Sequence, residues 1–202
     1  MSDYEDELAD IDDVDDLLDD ELDIDDDVVS DDFDDGDDDD DYEDATVDEI
    51  DFVAALYRED GLPQVAPMAF ALANDLHDLI TMLRRFPGDA GATGIVSING
   101  EFFVIARVRG RDVRVLLSDG VAANDWPIAR DVADFLGSDI PDEDEDPEPM
   151  GDLGLFSDVG LREFDMETII GDHDDDSEEM VRRIVKRLGY EQPFSAAIVT
   201  ED

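Results

Sequence analysis

Apolar and polar residues alternate between residues 50 and 118 in the pattern expected of β-strands. A buried strand is predicted over Phe52–Tyr57. A short strand is predicted over Gln64–Met68, at a sheet edge because Pro67 has no amide to donate. Further strands are predicted over residues 94–98, over 101–109 and from 112 onward. The middle of the chain therefore predicts five strands.

Two tight turns connect the last three of these strands. Asn99-Gly100 is typical of a type I′ hairpin turn, which needs positive φ at both central residues, and Gly110-Arg111 follows as a second turn. With two-residue loops, Ile98 lies opposite Glu101 and Arg109 lies opposite Asp112. One predicted face then carries Ile95, Phe102, Val104, Ala106, Val108, Val113, Val115 and Leu117, and the other Val96, Ile98, Phe103, Ile105 and Leu116. Both faces are apolar, so both need cover.

Helical spacing of apolar residues predicts two helices in the same region. The first spans Leu76–Leu83, with Asn74 or Asp75 as its cap. The second spans about Trp126–Leu136, with Asp125 as its cap and Gly137 as its left-handed end. The element order β-β-α-β-β-β-α predicts an α+β fold with a five-stranded antiparallel sheet, in a longin-like or roadblock-like topology.

Charge divides the chain into four segments. The chain has 62 acidic and 13 basic residues, a net charge of −49, and residues 1–49 hold 29 of the acids and no base. Residues 1–49 are predicted to be a disordered tail, 50–137 the sheet domain, 138–150 an acidic proline-containing linker and 151–202 a helical C-terminal segment that packs on the uncovered sheet face. The tail alternates acidic and apolar residues, which suits either folding on a basic partner or simple solubilisation.

The same charge narrows the classes of partner. A chain this acidic repels phosphate backbones, so we expect no direct DNA binding and a basic protein partner; a homodimer stays open. The basic residues of a helix over Glu178–Leu188 leave RNA contact as an alternative to a solvated helix face, which we favour. The chain has no cysteine, an acidic start unlike a signal peptide and no long apolar run, so a cytoplasmic protein with no membrane contact is expected.

Three arginines follow the apolar residues of the second predicted face. Arg107 lies directly opposite Arg114, and Arg109 is close to both, an unfavourable arrangement without an anion nearby. We therefore predict a partner-binding surface of Arg107, Arg109, Arg114, Phe103 and Ile105. The anion could belong to a partner, to the acidic tail, or to Asp112 and nearby carboxylates that neutralise a solvated sheet end.

The sequence contains no recognisable motif for metal binding, nucleophilic catalysis or phosphate binding. His77 and His173 have no second nitrogen or sulfur ligand at a metal spacing, no serine lies in a nucleophile elbow, and Gly88, Gly91 and Gly94 precede a strand where a phosphate loop would precede a helix. We predict no catalytic residue, no metal and no cofactor. An enzyme with an unrecognised carboxylate site remains a third, weaker hypothesis.

Several segments together resemble a known family. They are Arg85-Phe-Pro-Gly-Asp89, Glu101-Phe-Phe-Val104, Val115-Leu-Leu-Ser-Asp119, Asp125-Trp-Pro-Ile-Ala-Arg-Asp-Val132, Pro147-Glu-Pro-Met-Gly-Asp-Leu153 and Arg187-Leu-Gly-Tyr190. In this order they resemble the bacterial tRNA adenosine deaminase-associated proteins, over roughly Phe52–Val199. The resemblance implies association with the deaminase and brings no catalytic residues.

The chain is not the deaminase itself. Zinc deaminases of that type need an H-x-E ligand motif and P-C-x-x-C, whereas this chain has no cysteine and continues His77 with Asp78-Leu79. The hypothesis is a non-enzymatic accessory module that binds a protein, with the deaminase as the candidate partner. The alternative is an acidic nucleic-acid mimic that occupies a basic tRNA-binding surface.

Overall fold

The computed structural model describes residues 43–87, 90–172 and 174–198, which all belong to one compact unit. The predicted disordered tail lies outside the described residues as far as residue 42. Its last residues are part of the folded unit, since Ala45 is buried and exchanges two hydrogen bonds with the Asn74 side chain (2.8 and 3.1 Å).

One antiparallel sheet organises the described chain. Its strands are β1 (Ile50–Glu59), β2 (Leu62–Pro67), β3 (Ala92–Ile98), β4 (Phe102–Arg109), β5 (Asp112–Leu117) and β6 (Met150–Gly151), in the spatial order β2-β1-β3-β4-β5-β6. The fold is α+β, as predicted. The sheet has six strands where five were expected, because the end of the predicted linker pairs with β5.

Gly151 explains why that pairing is close. Its φ is 109°, and a Cβ there would lie 2.3 Å from the Val115 carbonyl oxygen. A side chain would therefore separate β6 from β5. A two-residue strand carries too short a pattern to be predicted from alternation, and the longin-like or roadblock-like topology stays a prediction.

The described residues also form five α-helices: α1 (Leu76–Leu83), α2 (Pro127–Leu136), α3 (Glu163–Ile170), α4 (Ser177–Arg187) and α5 (Glu191–Ile198). Asp75 caps α1, as one of the two predicted alternatives, by accepting a hydrogen bond from the Asp78 amide. The predicted cap of α2 is wrong. Asp125 ends a preceding 3₁₀ turn, and α2 begins after Trp126 with Pro127, whose missing amide needs no cap. Gly137 ends α2 in the left-handed conformation, as predicted.

The first hairpin differs from the prediction by one residue. Asn99 and Gly100 both have positive φ, as a type I′ turn requires, but Glu101 is an additional residue and Phe102 pairs with Ile98. A slip of one residue transfers a strand's side chains to the other face. Hence Val96 and Ile98 share a face with Phe102, and the predicted faces of β3 were interchanged. The second hairpin has the predicted register, Arg109 opposite Asp112.

Each face of the sheet has its own core. The helices α1 and α2 cover the face that carries Val96, Phe102 and Val104. The C-terminal helices α3, α4 and α5 cover the opposite face, where Met166, Ile184 and Phe194 pack against side chains of β1, β3, β4 and β5. The C-terminal segment therefore packs on the second face, as expected.

A buried polar group fixes the C-terminal helices to the sheet. The Ser177 hydroxyl, at the start of α4, lies 2.7 Å from the Ser97 hydroxyl of β3, which donates to Asp51 (2.8 Å). The Ser177 amide also donates to the Gly100 carbonyl oxygen of the hairpin. These bonds set where α4 begins above the sheet.

Within the described residues, no helix combines the length and the apolar character needed to cross a bilayer.

Candidate functional site

The predicted arginine cluster lies at the end of β4 and the start of β5, beside the chain's own carboxylates. Both Arg107 terminal nitrogens donate to Asp158, and Nη1 also donates to the Leu155 carbonyl oxygen. Arg109 donates to the same carboxylate at 2.9 Å. The Arg107 hydrogen bonds, more than the nearby charges, hold the pKa of Asp158 below its usual value. Asp158 thus joins the C-terminal segment to the sheet.

Arg114 also has acidic neighbours. Its guanidinium lies 3.1 Å from the Asp112 carboxylate and 3.4 Å from that of Asp152. Arg107 and Arg114 face each other across the strand pair, as predicted, and carboxylates on either side compensate the repulsion. Of the three anion sources left open by the sequence, neighbouring carboxylates fit this arrangement.

The apolar members of the predicted surface lie in the core. Phe103 and Ile105 are fully buried in the second core, beneath the C-terminal helices. The sequence shows that this face is apolar but not that the chain itself covers it. A partner would reach these two side chains only if the C-terminal helices moved away from the sheet. Their role in partner binding stays a prediction, and it would require that movement.

The basic helix α4 is neutralised in a similar way. Each of its four cations has an acidic partner: Arg182 with Glu178, Arg183 with Asp172 and Asp175, Lys186 with Glu191, and Arg187 with Asp165. The two carboxylates raise the pKa of Arg183 through their hydrogen bonds. An RNA phosphate at α4 would have to displace these carboxylates, and the solvated helix face favoured from the sequence stays a prediction.

A cleft of about 480 Å³ lies where the end of β5, the residues before β6 and the helices α3 and α4 meet. We call it the acidic cleft, because its lining includes five carboxylates and no cationic side chain: Glu101, Asp119, Glu148, Glu167 and Asp175. Ile170 and Met180 form its apolar wall. The bond from the Gly120 amide to the Glu148 carbonyl oxygen (2.8 Å) holds residues 147–149, the pre-β6 segment, against the 3₁₀ turn that follows β5.

The carboxylates of the cleft differ in how they are compensated. Burial raises the pKa of Asp119, although its bond from the Val121 amide (2.9 Å) acts in the opposite direction. Asp175 pairs with Arg183. Within the described part of the chain, Glu101, Glu148 and Glu167 make no ion pair. Among the described residues these three carboxylates have no cationic partner, so an approaching cation would meet unneutralised charge.

The described residues offer little for metal binding or catalysis. One group could hold a cation: Asp75, His77 and Asp78, whose ligand atoms all lie within 4.8 Å of one another. His77 and Asp78 are exposed, and the Asp75 carboxylate already caps α1. His173 lies outside the described residues. The buried Ser97 hydroxyl bonds to the Ser177 hydroxyl and donates to Asp51, a structural linkage that, among the described residues, includes no histidine base.

Comparisons with known proteins show the family of this chain. A sequence profile of the Rv3753c-like tRNA adenosine deaminase-associated protein family matches residues 51–191. The chain belongs to this family. It is also 37% identical over 150 residues to Protein Rv3753c of Mycobacterium tuberculosis, an alignment that covers 73% of this chain and 87% of that protein. No solved structure matches the chain.

The family match confirms the resemblance seen in the sequence motifs. The family is described as associated with the deaminase and not as the deaminase, which is consistent with a non-enzyme. The match ends at residue 191 and begins at residue 51, so it covers the sheet, the pre-β6 segment and α3–α4. Every residue that lines the acidic cleft is inside the matched range.

Sequence reasoning missed the acidic cleft. Its carboxylates are spread from residue 101 to residue 175, and Glu148 and Asp175 lie in acidic stretches, so no local pattern unites the five. Pro147-Glu-Pro149 was a usable signal: a proline-flanked carboxylate before a paired strand is held in place, unlike its neighbours in the linker.

Proposed function

We propose that this chain is a non-enzymatic accessory protein that binds tRNA adenosine deaminase, with the acidic cleft receiving basic side chains of that partner. The observation that carries the proposal is the unequal pairing of charges in the described residues. The arginines at the end of β4 and the start of β5, and the cations of α4, form ion pairs with neighbouring carboxylates. Three glutamates of the acidic cleft have no cationic partner among the described residues.

Physical chemistry favours a protein partner over a nucleic acid. Uncompensated carboxylates in a concave site focus a negative potential, which attracts lysine and arginine and repels phosphate. A protein that acts on tRNA needs basic surface for that task. The family description supplies the identity of the proposed partner.

A titration with purified tRNA adenosine deaminase from the same organism tests the proposal. The triple variant Glu101→Gln, Glu148→Gln and Glu167→Gln removes the uncompensated charges and keeps side-chain size. The matched control, Glu43→Gln, Glu59→Gln and Glu163→Gln, changes the net charge equally at exposed positions outside the cleft.

Calorimetry should show that the cleft variant binds roughly tenfold more weakly than the wild type, with a shallower salt dependence, and that the control is nearly unchanged. Equal weakening by both variants would assign the effect to overall charge. Failure of the wild-type chain to bind the deaminase at low salt would reject the proposal.

A second candidate rests on the 29 acidic residues among the first 49. In this alternative the acidic N-terminus mimics nucleic acid and occupies the tRNA-binding surface of its partner. Deletion of residues 1–42 tests it and spares Ala45, which packs in the fold. Unchanged affinity after deletion would reject mimicry, and competition between the intact chain and tRNA that disappears after deletion would support it.

A further inference from the structure

A groove between α1 and α2 lies outside the acidic cleft, on the helical side of the first core. Its volume is about 360 Å³. The floor and walls include the buried Leu76 and Ile80, the half-buried Val113 and the exposed Phe135. Phe135 is 49% exposed, so part of its ring remains available to a ligand in the groove. A ligand that covered the Phe135 ring would remove apolar surface from contact with water.

Carboxylates form the rim of this groove. Asp75, Asp131 and Asp134 line it, with His77 beside them and Arg84 at the far end of α1. The Leu76 amide donates to Asp131 (3.0 Å) and the Asp78 amide donates to Asp75 (2.7 Å), so α1 fixes both carboxylates at its N-terminus. Apart from Arg84 the rim is acidic, and the floor is apolar.

The rim carboxylates oppose one another. Burial raises the pKa of Asp131 most strongly, and the charges of Asp75 and Asp134 raise it further, against the bond from the Leu76 amide. An added cation would relieve this repulsion. The groove is therefore complementary to a ligand that combines apolar side chains with positive charge.

We propose that the α1–α2 groove binds a basic amphipathic helical segment of a partner protein, with its apolar face on Ile80, Val113 and Phe135 and its lysines or arginines on the aspartate rim. The inference rests on the proposed function, in that it names a second contact surface for the same kind of partner. The chain's own N-terminus and a second copy are poor occupants because both are strongly acidic.

The dimensions suit one short helix. The lining residues of α1 run from Leu76 to Arg84, about 12 Å along the helix axis, which matches about two turns of a bound helix. Apolar residues spaced i, i+3, i+4 and i+7 would face the floor, with cations on the flanking positions. Arg84 would face a neutral or acidic residue at one end of the segment.

The first test uses the full-length chain labelled with nitrogen-15 and a 14-residue probe peptide of leucine and lysine with leucines at helical spacing. Saturable amide shifts should concentrate on α1, α2 and the start of β5. A scrambled peptide of the same composition should bind much more weakly, and a peptide with glutamate in place of lysine should not bind. Shifts spread over the acidic segments, or equal binding of the scrambled peptide, would overturn the proposal.

Variants separate the groove from general attraction. Phe135→Ala should weaken peptide binding roughly tenfold. Phe164→Ala, which removes another exposed phenylalanine from α3, should leave it unchanged. Asp134→Lys, at an exposed position of the aspartate rim, should also weaken peptide binding, because it replaces a negative charge with a positive one. Thermal unfolding checks that each variant is folded. Equal affinities of the Phe135 and Phe164 variants would contradict the inference.

The deaminase titration distinguishes this inference from the proposed function. If the wild-type chain binds the deaminase and neither Phe135→Ala nor Asp134→Lys weakens binding, the groove proposal fails and the accessory function stands. If the wild-type chain does not bind the deaminase, the accessory function fails, and the peptide titration still decides whether the groove recognises basic amphipathic helices.

Discussion

Arg107 is a cation held inside the fold, and its contacts show how single residues join the sheet to the C-terminal segment. The residue is 9% exposed, its guanidinium lies over the Phe156 ring at 5.2 Å, and it donates to Asp158 and to the Leu155 carbonyl oxygen. Removal of one partner from such a pair leaves a charge poorly solvated. The pair should therefore matter for stability more than the exposed ion pairs do.

Asp158→Asn should destabilise the protein by about 1.5–3 kcal/mol at pH 7, the range for hydrogen bonds to charged groups. Because the folded-state pKa of Asp158 is lowered, its contribution is present above the unfolded-state value and is lost as pH falls through the folded-state value. Urea unfolding at pH 7 and at about pH 3 measures both effects. The control Asp112→Asn, which affects the exposed Arg114, should cost under about 1 kcal/mol; equal losses would contradict the role of burial.

The pKa of Asp131 is shifted in the opposite direction from that of Asp158, so its charge has the opposite effect on stability. Its folded-state pKa is raised by burial and by Asp75 and Asp134, so ionisation destabilises the fold as pH rises through the window between the ordinary carboxyl value and the raised one. Asp131→Asn keeps an acceptor for the Leu76 amide and should raise the melting temperature at pH 7 by about 1–2 °C. The gain should vanish once the wild-type carboxyl is protonated. A melting temperature lowered at pH 7 would show that the charge of Asp131 is stabilising.

At the scale of elements, local chemistry determines most of the fold. Strand alternation locates β1 to β5, and the apolar spacing locates α1, α2 and α4. The β3–β4 register was not predictable from the Asn99-Gly100 turn alone, because both the two-residue loop and the loop with Glu101 begin with the same turn. Tertiary packing of Val96 and Ile98 against α1 and α2 favours the observed register.

The C-terminal helices depend on the sheet face that they cover. Phe194 of α5 is fully buried, and its ring meets Phe52 of β1 edge to face at 5.3 Å. Fifty residues with few aromatic side chains would form a weak core without this contact. The second core is therefore formed jointly by the sheet and the C-terminal segment.

Phe194→Ala should destabilise the protein by about 3–5 kcal/mol, because it leaves a large cavity between α5 and β1. Phe164→Ala makes the same chemical change on α3, where the ring is 71% exposed, and should shift stability by no more than about 0.5 kcal/mol. Denaturant unfolding compares the two variants. Similar losses for both would mean that the packing of α5 contributes little.

At the scale of the whole molecule, charge is distributed unevenly along the chain. Residues 50–137 hold 12 acids and 8 bases, an ordinary balance for a folded domain, whereas residues 1–49 and 138–150 hold acids only. In the described part, carboxylates close to the sheet end and α4 compensate the cations, and the acidic cleft and the α1–α2 groove keep negative rims. The described surface thus combines negative potential with exposed apolar side chains, which suits the basic partner that we propose.

The candidate sites were less predictable than the fold, for a physical reason. Arg107, Arg109 and Arg114 were found because they are rare cations at a defined register, but their partners Asp152 and Asp158 come from a later segment whose position the sequence does not specify. The cleft glutamates are indistinguishable from many other acids until the fold brings them together. Composition predicted a basic partner, and the acidic cleft and the α1–α2 groove are the surfaces that we propose it contacts.

The most direct test of the accessory function is recovery of the chain, tagged at its own locus, from a native lysate treated with RNase. The account predicts that tRNA adenosine deaminase is recovered with it at low salt, is lost as salt is raised, and is retained after RNase treatment because the contact is between proteins. Recovery of the chain without the deaminase at low salt, or a deaminase signal that RNase abolishes, would contradict it.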